Sequence, residues 1–298
     1  MFVFMVGGGP SAIAEPAPRR VIIVGVDDSA DAEAAARWAV QEAELRKDDL
    51  LLVHAYEVPM LPPRGKATTR RGRQGRQELL DKITETLALP PQMHLDQLVA
   101  VDTAESLLAR QSERAELTVL GHDHPALAGH MPFGRTASAV ASMSRRPVVA
   151  VPRGWIPHAG DRRPVAVAID GRHASSSTLG YAFTEASMRR VPILVVHSAP
   201  LAELSSGEQA TRLNVAEILA GWKADYPDIA VDTLLLAGSP RDTVAAVSAD
   251  VQLLVVGTPH RGREWSRWIR SVARAVLDQA GCPVAVVPQR FPRAATAD

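Results

Sequence analysis

The sequence predicts an α/β fold built as two tandem, doubly wound, mostly parallel five-stranded sheets with helices on both faces. Three observations carry this. The chain repeats itself: RRVIIVGVDDSADAEAAARWAVQEAELRKDDLLLVHAY and RRPVAVAIDGRHASSSTLGYAFTEASMRRVPILVVHSA keep one offset, so that Asp27 and Asp170, Glu42 and Glu185, and His54 and His197 all stand 143 residues apart. Farther on, Gly121 and Gly257, His124 and His260, and Pro147 and Pro283 stand 136 apart, so the copies differ by a seven-residue deletion in the middle. Short apolar runs alternate with longer amphipathic segments, the rhythm of βαβ units. The runs are also short enough to be strands buried on both faces, as parallel strands are.

Taken in order, VIIVGV is the first strand, and Ser29 caps a helix over 30–46. LLVHAY is strand two. Helices over 76–87, 103–113 and 135–145 then alternate with LVAV, LTVL and PVVAVP as strands three, four and five. The span 58–76, VPMLPPRGKATTRRGRQGR, holds six basic residues and no acid. Pro, Gly and like charges all oppose packing, which predicts a flexible surface loop there, with folding over an anionic ligand or docking a partner as the alternatives. Residues 1–18 read as a disordered leader, 19–152 as domain one, 153–162 as a Gly- and Pro-broken linker, 163–290 as domain two and 291–298 as a tail.

Composition sets limits. The chain has 298 residues, long enough for two domains of about 130–150 residues with cores of their own. Lys plus Arg and Asp plus Glu are both 33, a balance that argues against nucleic acid or a membrane surface as partner. No stretch approaches the roughly 20 apolar residues of a membrane span. A single cysteine, Cys282, allows no internal disulfide and fits a reducing cytoplasm.

In sheets of this kind, ligands bind beyond the carboxyl ends of the strands, where the strand order reverses. The residues expected there are Asp27, Asp28 and Ser29 after strand one, Ala55 after His54, and the loop from Gly121 to Thr136 after strand four. The second copy offers Asp170, Ser198 and the loop from Gly257 to Val272. VLGHDHPALAGHMPFGRTASAV, from Val119 to Val140, reads as strand, loop and helix. A helix N-terminus at such a place presents free N–H groups to a phosphate.

On these residues the chain resembles a tandem universal stress protein. The family's marker is a first strand ending in Asp, then Gly-x2-Gly-x9-Gly-[Ser/Thr] after strand four, a helix, and a CPVxVVP strand. SVARAVLDQAGCPVAVVP closes the second copy to that pattern, and RTASAVASMSRRPVVAVP has the same spacing in the first. The resemblance implies a nucleotide-binding, Rossmann-like domain in each copy. It puts ATP phosphates in the glycine loop, the strand-one Asp (Asp27, Asp170) on the adenine and ribose side, and the residue after the strand-two His (Ala55, Ser198) against the base. Family members also pair their last strand across a dimer axis. That implies antiparallel pairing of strands 147–152 and 283–288 within one chain, and leaves a homodimer of whole chains open.

The glycine motif is altered in both copies. Gly121 and Gly134 match its first and third glycines, while His124 takes the second and Arg135 the Ser/Thr position, just before Thr136. The second copy keeps Gly257 and Ser271, followed by Val272, but has His260 and Arg270 at the second and third glycines. A side chain held in the left-handed region costs about 1–2 kcal/mol, roughly a tenfold loss of affinity. Arg135, and the Arg261, Arg263, Arg267 and Arg270 of the second loop, supply charge in place of what is lost. Site one, which keeps Gly134, is expected to be the better nucleotide site.

Other chemistries find less in the sequence. His122, His124 and His130 with Asp123 have no standard zinc spacing, so no metal is expected. His54 and His197 end buried strands and read as packed, hydrogen-bonded groups rather than catalytic ones. Asp27 and Asp28 resemble the acidic pocket of a phosphorylated receiver, but Asp102 is a poor phosphoacceptor and Pro152 stands where a Lys is needed. No nucleophile sits at a motif spacing from a base, so no enzyme is expected. Three readings stay open: a cytoplasmic stress-response protein that senses or stores an adenine nucleotide without fast turnover, a nucleotide-free interaction scaffold of the same fold, and a slow ATPase.

Overall fold

The computed structural model describes residues 20–57, 67–122, 135–158, 160–169, 176–199, 201–238, 246–258 and 280–289. In the first half, β1 (Val21–Gly25), β2 (Asp49–Tyr56), β3 (Leu95–Val101), β4 (Leu117–Gly121) and β5 (Val148–Val151) alternate with α1 (Ala30–Arg46), α2 (Ala67–Thr86), α3 (Ala104–Ser112) and α4 (Arg135–Met143). In the second half come β6 (Val165–Ile169), α5 (Ser176–Arg189), β7 (Ile193–Ala199), α6 (Leu201–Asp225), β8 (Val231–Ala237), β9 (Leu253–Gly257) and β10 (Val284–Val287). The described strands form one sheet in the order β3-β2-β1-β4-β5-β10-β9-β6-β7-β8. Each half is parallel and doubly wound. The halves meet where β5 runs antiparallel to β10, with Val284 opposite Ala150 and Val286 opposite Val148.

The strands are apolar because both faces are covered. On one face a single core runs through both halves, from Ile22, Val24 and Trp38 to Val167, Phe183 and Leu253. On the other face the core is split, with Leu107, Leu120 and Val140 in the first half and Val196, Val256 and Cys282 in the second. Burial pushes the Cys282 thiol up to about 12, so it packs as a small apolar group.

The repeat extends to details of the helices. Ser29 caps α1 by accepting from the N–H of Ala32 at 3.1 Å. Lys47 ends α1 with φ 60°, and Arg190, 143 residues on, follows α5 with φ 53°. Sequence and structure part at α2. The helix begins at Ala67, so the latter part of the segment 58–76 is helical rather than a flexible loop. Arg and Gln, frequent in this stretch, are good helix formers. Arg76 also lies over the Tyr56 ring, 4.1 Å from the centroid.

Where α1 meets α5 the repeat brings together four charged side chains. Arg46 donates to Glu42, its partner at i,i+4, at 2.5 Å, and to Glu185 of the other half. Arg189 donates to Glu185, likewise at i,i+4, and back to Glu42. Each carboxylate thus serves one guanidinium from each half, a closed ring with the exchange symmetry of an isologous interface. Burial alone would favour neutral Glu42, but Arg189 and Arg46 outweigh it and hold the carboxyl below its ordinary range.

Asp48, buried just after α1, has no such compensation. Burial pushes its carboxyl up to about 6, although Arg46 pulls the other way. A folded-state value above the unfolded one means that its contribution to stability is complete below the unfolded value and is lost as pH rises through about 6. Asp48→Asn is therefore expected to stabilise the protein by about 1–3 kcal/mol at pH 7.5, with the gain vanishing near pH 4. Urea titrations of both proteins at the two pH values measure this.

Candidate functional site

The strand order of the first half reverses between β1 and β4, and a crevice opens there at the carboxyl ends of the strands. Asp27 after β1, Ala55 on β2, Gly121 at the end of β4 and Thr136 on the first turn of α4 all line it. Its volume is about 100 Å³. That is below the roughly 300–1,000 Å³ of a complete small-molecule site, so these walls take up part of a ligand.

The walls are ordered by local hydrogen bonds. Asp27 Oδ1 accepts from the Ser29 N–H at 3.0 Å and from the Ser29 hydroxyl at 2.5 Å. Ser29 in turn caps α1, so the carboxylate is fixed at the start of that helix. His54 Nδ1 lies 2.8 Å from the Val26 carbonyl, and His197 Nδ1 lies 3.1 Å from that of Ile169. A carbonyl only accepts, so Nδ1 carries the proton in both rings. These histidines tie strand two to strand one, as the sequence led us to expect of packed, hydrogen-bonded groups.

Gly121 is required by a close approach. A Cβ built there would fall 2.6 Å from the Asp31 carbonyl carbon and 2.7 Å from its oxygen. The start of α1 rests directly on the end of β4. In the second copy, a Cβ on Gly257 would meet the Thr178 hydroxyl at 2.5 Å. The glycines that open the two motifs are thus needed for helix packing, whatever they also do for a ligand.

Ser198, next to last in β7, and Gly257, at the end of β9, lie on either side of β6, half-buried and in positions equivalent to Ala55 and Gly121. His124, Gly134, Asp170, Arg270, Ser271 and Val272 lie outside the described residues, and Arg135 is described only as the first residue of α4. His122 is buried after β4, where its N–H donates to the Val151 carbonyl at 2.8 Å; His130 lies outside the described residues. Asp102 accepts from the Thr103 N–H and from Arg110, whose hydrogen bond holds the carboxyl below its ordinary range. That carboxylate serves the start of α3.

The sequence reading missed part of the crevice. Gly25, Leu120 and, from α3, Ala104 and Leu108 also line it. A Cβ on Gly25 would meet the ends of the Leu120 and Leu108 side chains at 2.3 and 3.0 Å. A glycine inside the run VIIVG was the available signal, since such a residue marks a close approach.

Comparison with known proteins identifies the family. Residues 18–152 and 161–288 each match the Universal stress protein family. A universal stress protein of Mycobacterium tuberculosis is 32% identical over 289 residues, covering 89% of this chain and 95% of its own. Another from the same organism is 29% identical over 300 residues, covering 93% and 100%. Among solved structures, a universal stress protein from Archaeoglobus fulgidus superposes with a TM-score of 0.66 at 14% identity, over 90% of this chain and 96% of that one. That likeness concerns the fold. Among the described residues, no helix is long and apolar enough to cross a membrane.

Proposed function

The chain belongs to the universal stress protein family, with two copies of its domain, and from that premise we propose that it binds and senses an adenine nucleotide in its first copy without rapid turnover. One observation carries the reading: Asp27, Ala55, Gly121 and Thr136, from four separate stretches of sequence, converge on one crevice at the switch point of the sheet. The base lies against Ala55, and the ribose meets Asp27. Ser29 occupies Oδ1 of that carboxylate, which leaves Oδ2 for a ribose hydroxyl. The phosphates extend toward Gly134, Arg135 and the N-terminus of α4, where free N–H groups and a guanidinium favour an anion. The second copy, with Arg270 at the third glycine, binds weakly or not at all.

Calorimetric titration of ATP into the wild type, Asp27→Ala and His124→Gly tests this. Asp27→Ala is expected to weaken binding at least about tenfold, and His124→Gly to tighten it by about tenfold. No heat in any of the three proteins would overturn the proposal and favour a nucleotide-free scaffold. Steady phosphate release above background would overturn the absence of turnover.

A further inference from the structure

Beside the ion-pair ring, where α1 meets the linker and the end of α5, lies a second cavity of about 390 Å³. This is within the roughly 300–1,000 Å³ of small-molecule sites, which favour domain junctions. It is distinct from the crevice: Ala32 of α1 lines the crevice and Glu44 the cavity, a separation of about 18 Å along the helix.

The lining indicates what would fit. Trp38 of α1 is buried and Trp155 of the linker is half-buried, both packed on the continuous core, and both contribute to the cavity wall. Two indoles provide flat apolar surface whose faces attract cations. The charges around them do not cancel. Glu42 and Arg189 are neutralised within the ring. Asp161 is paired with Arg163 at 2.7 Å. Glu44 remains, an exposed carboxylate with no ion pair among the described residues, so the wall carries one uncompensated negative charge.

We propose that this junction cavity binds a small planar organic cation, its ring against Trp38 and Trp155 and its positive charge facing Glu44. The ligand would bridge the first domain and the linker without touching the crevice, so it does not depend on the nucleotide reading.

The test compares one ring in three charge states. The full chain is titrated calorimetrically at pH 8 with N-methylquinolinium, with neutral quinoline and with anionic quinoline-2-carboxylate. The cation is expected to bind saturably and about tenfold more tightly than quinoline, and the anion to give no heat. Glu44→Gln should bring the cation down to the level of quinoline. Trp155→Ala should weaken both by about tenfold or more, Trp155→Phe should retain most of the affinity, and Asp27→Ala, which alters the crevice, should leave the affinity for N-methylquinolinium as it is. The proposal is overturned if no probe binds saturably, if the anion or quinoline binds as well as the cation, if Glu44→Gln and Trp155→Ala leave binding unchanged, or if Asp27→Ala removes it.

Discussion

Glu185→Ala is expected to destabilise the protein by about 3–5 kcal/mol, because it leaves buried guanidiniums without their counter-charge. Glu185 is 0% exposed and accepts from both Arg46 and Arg189, so its loss strips one carboxylate from a ring that has two. Glu42 alone then faces two arginines whose side chains are 13% and 10% exposed. An internal control comes from Arg37 and Glu33, a half-exposed pair at i,i+4, where Arg37→Ala should cost about 0.5 kcal/mol or less. Replacing all four ring residues by Met and Leu should recover most of the loss, since well-packed apolar groups often match a buried ion pair. Guanidinium unfolding curves measure all three. A cost under about 1 kcal/mol for Glu185→Ala would show that water reaches the ring.

Gly121→Ala is expected to cost about 1–3 kcal/mol, the usual penalty of overpacking, and more than Gly257→Ala. The added methyl at 121 would collide with the backbone of Asp31, which moves only if α1 moves. At 257 the neighbour is the Thr178 hydroxyl, and a side chain can turn. Thermal unfolding of the two variants ranks them, and the reverse order would contradict the contact between α1 and β4. Because the same helix carries Ala32 into the crevice, Gly121→Ala should also weaken any ligand held there.

The sequence was most informative where the physics is local or periodic. Apolar runs such as VIIVGV located the strands, Ser29 marked the start of α1, and the switch-point rule alone brought Asp27, Ala55, Gly121 and Thr136 to one place. It was least informative where contacts join distant segments. Glu42 and Glu185 were visible as a repeated pair, and Arg46 and Arg189 share their offset, but no spacing says that the two helices meet. Trp155 reads only as part of a broken linker until α1 and α5 close around it. The start of α2 was hidden for another reason: charge and glycine argued for a loop, while the helix propensity of its Arg and Gln residues is compatible with the helix that begins at Ala67.

The antiparallel seam between β5 and β10 reverses the strand direction in the middle of the sheet. The carboxyl ends of β1, β2 and β4 therefore leave by one border of the sheet, and those of β6, β7 and β9 by the opposite border. The protein is two-headed. A ligand or cap seated on one head leaves the other uncovered.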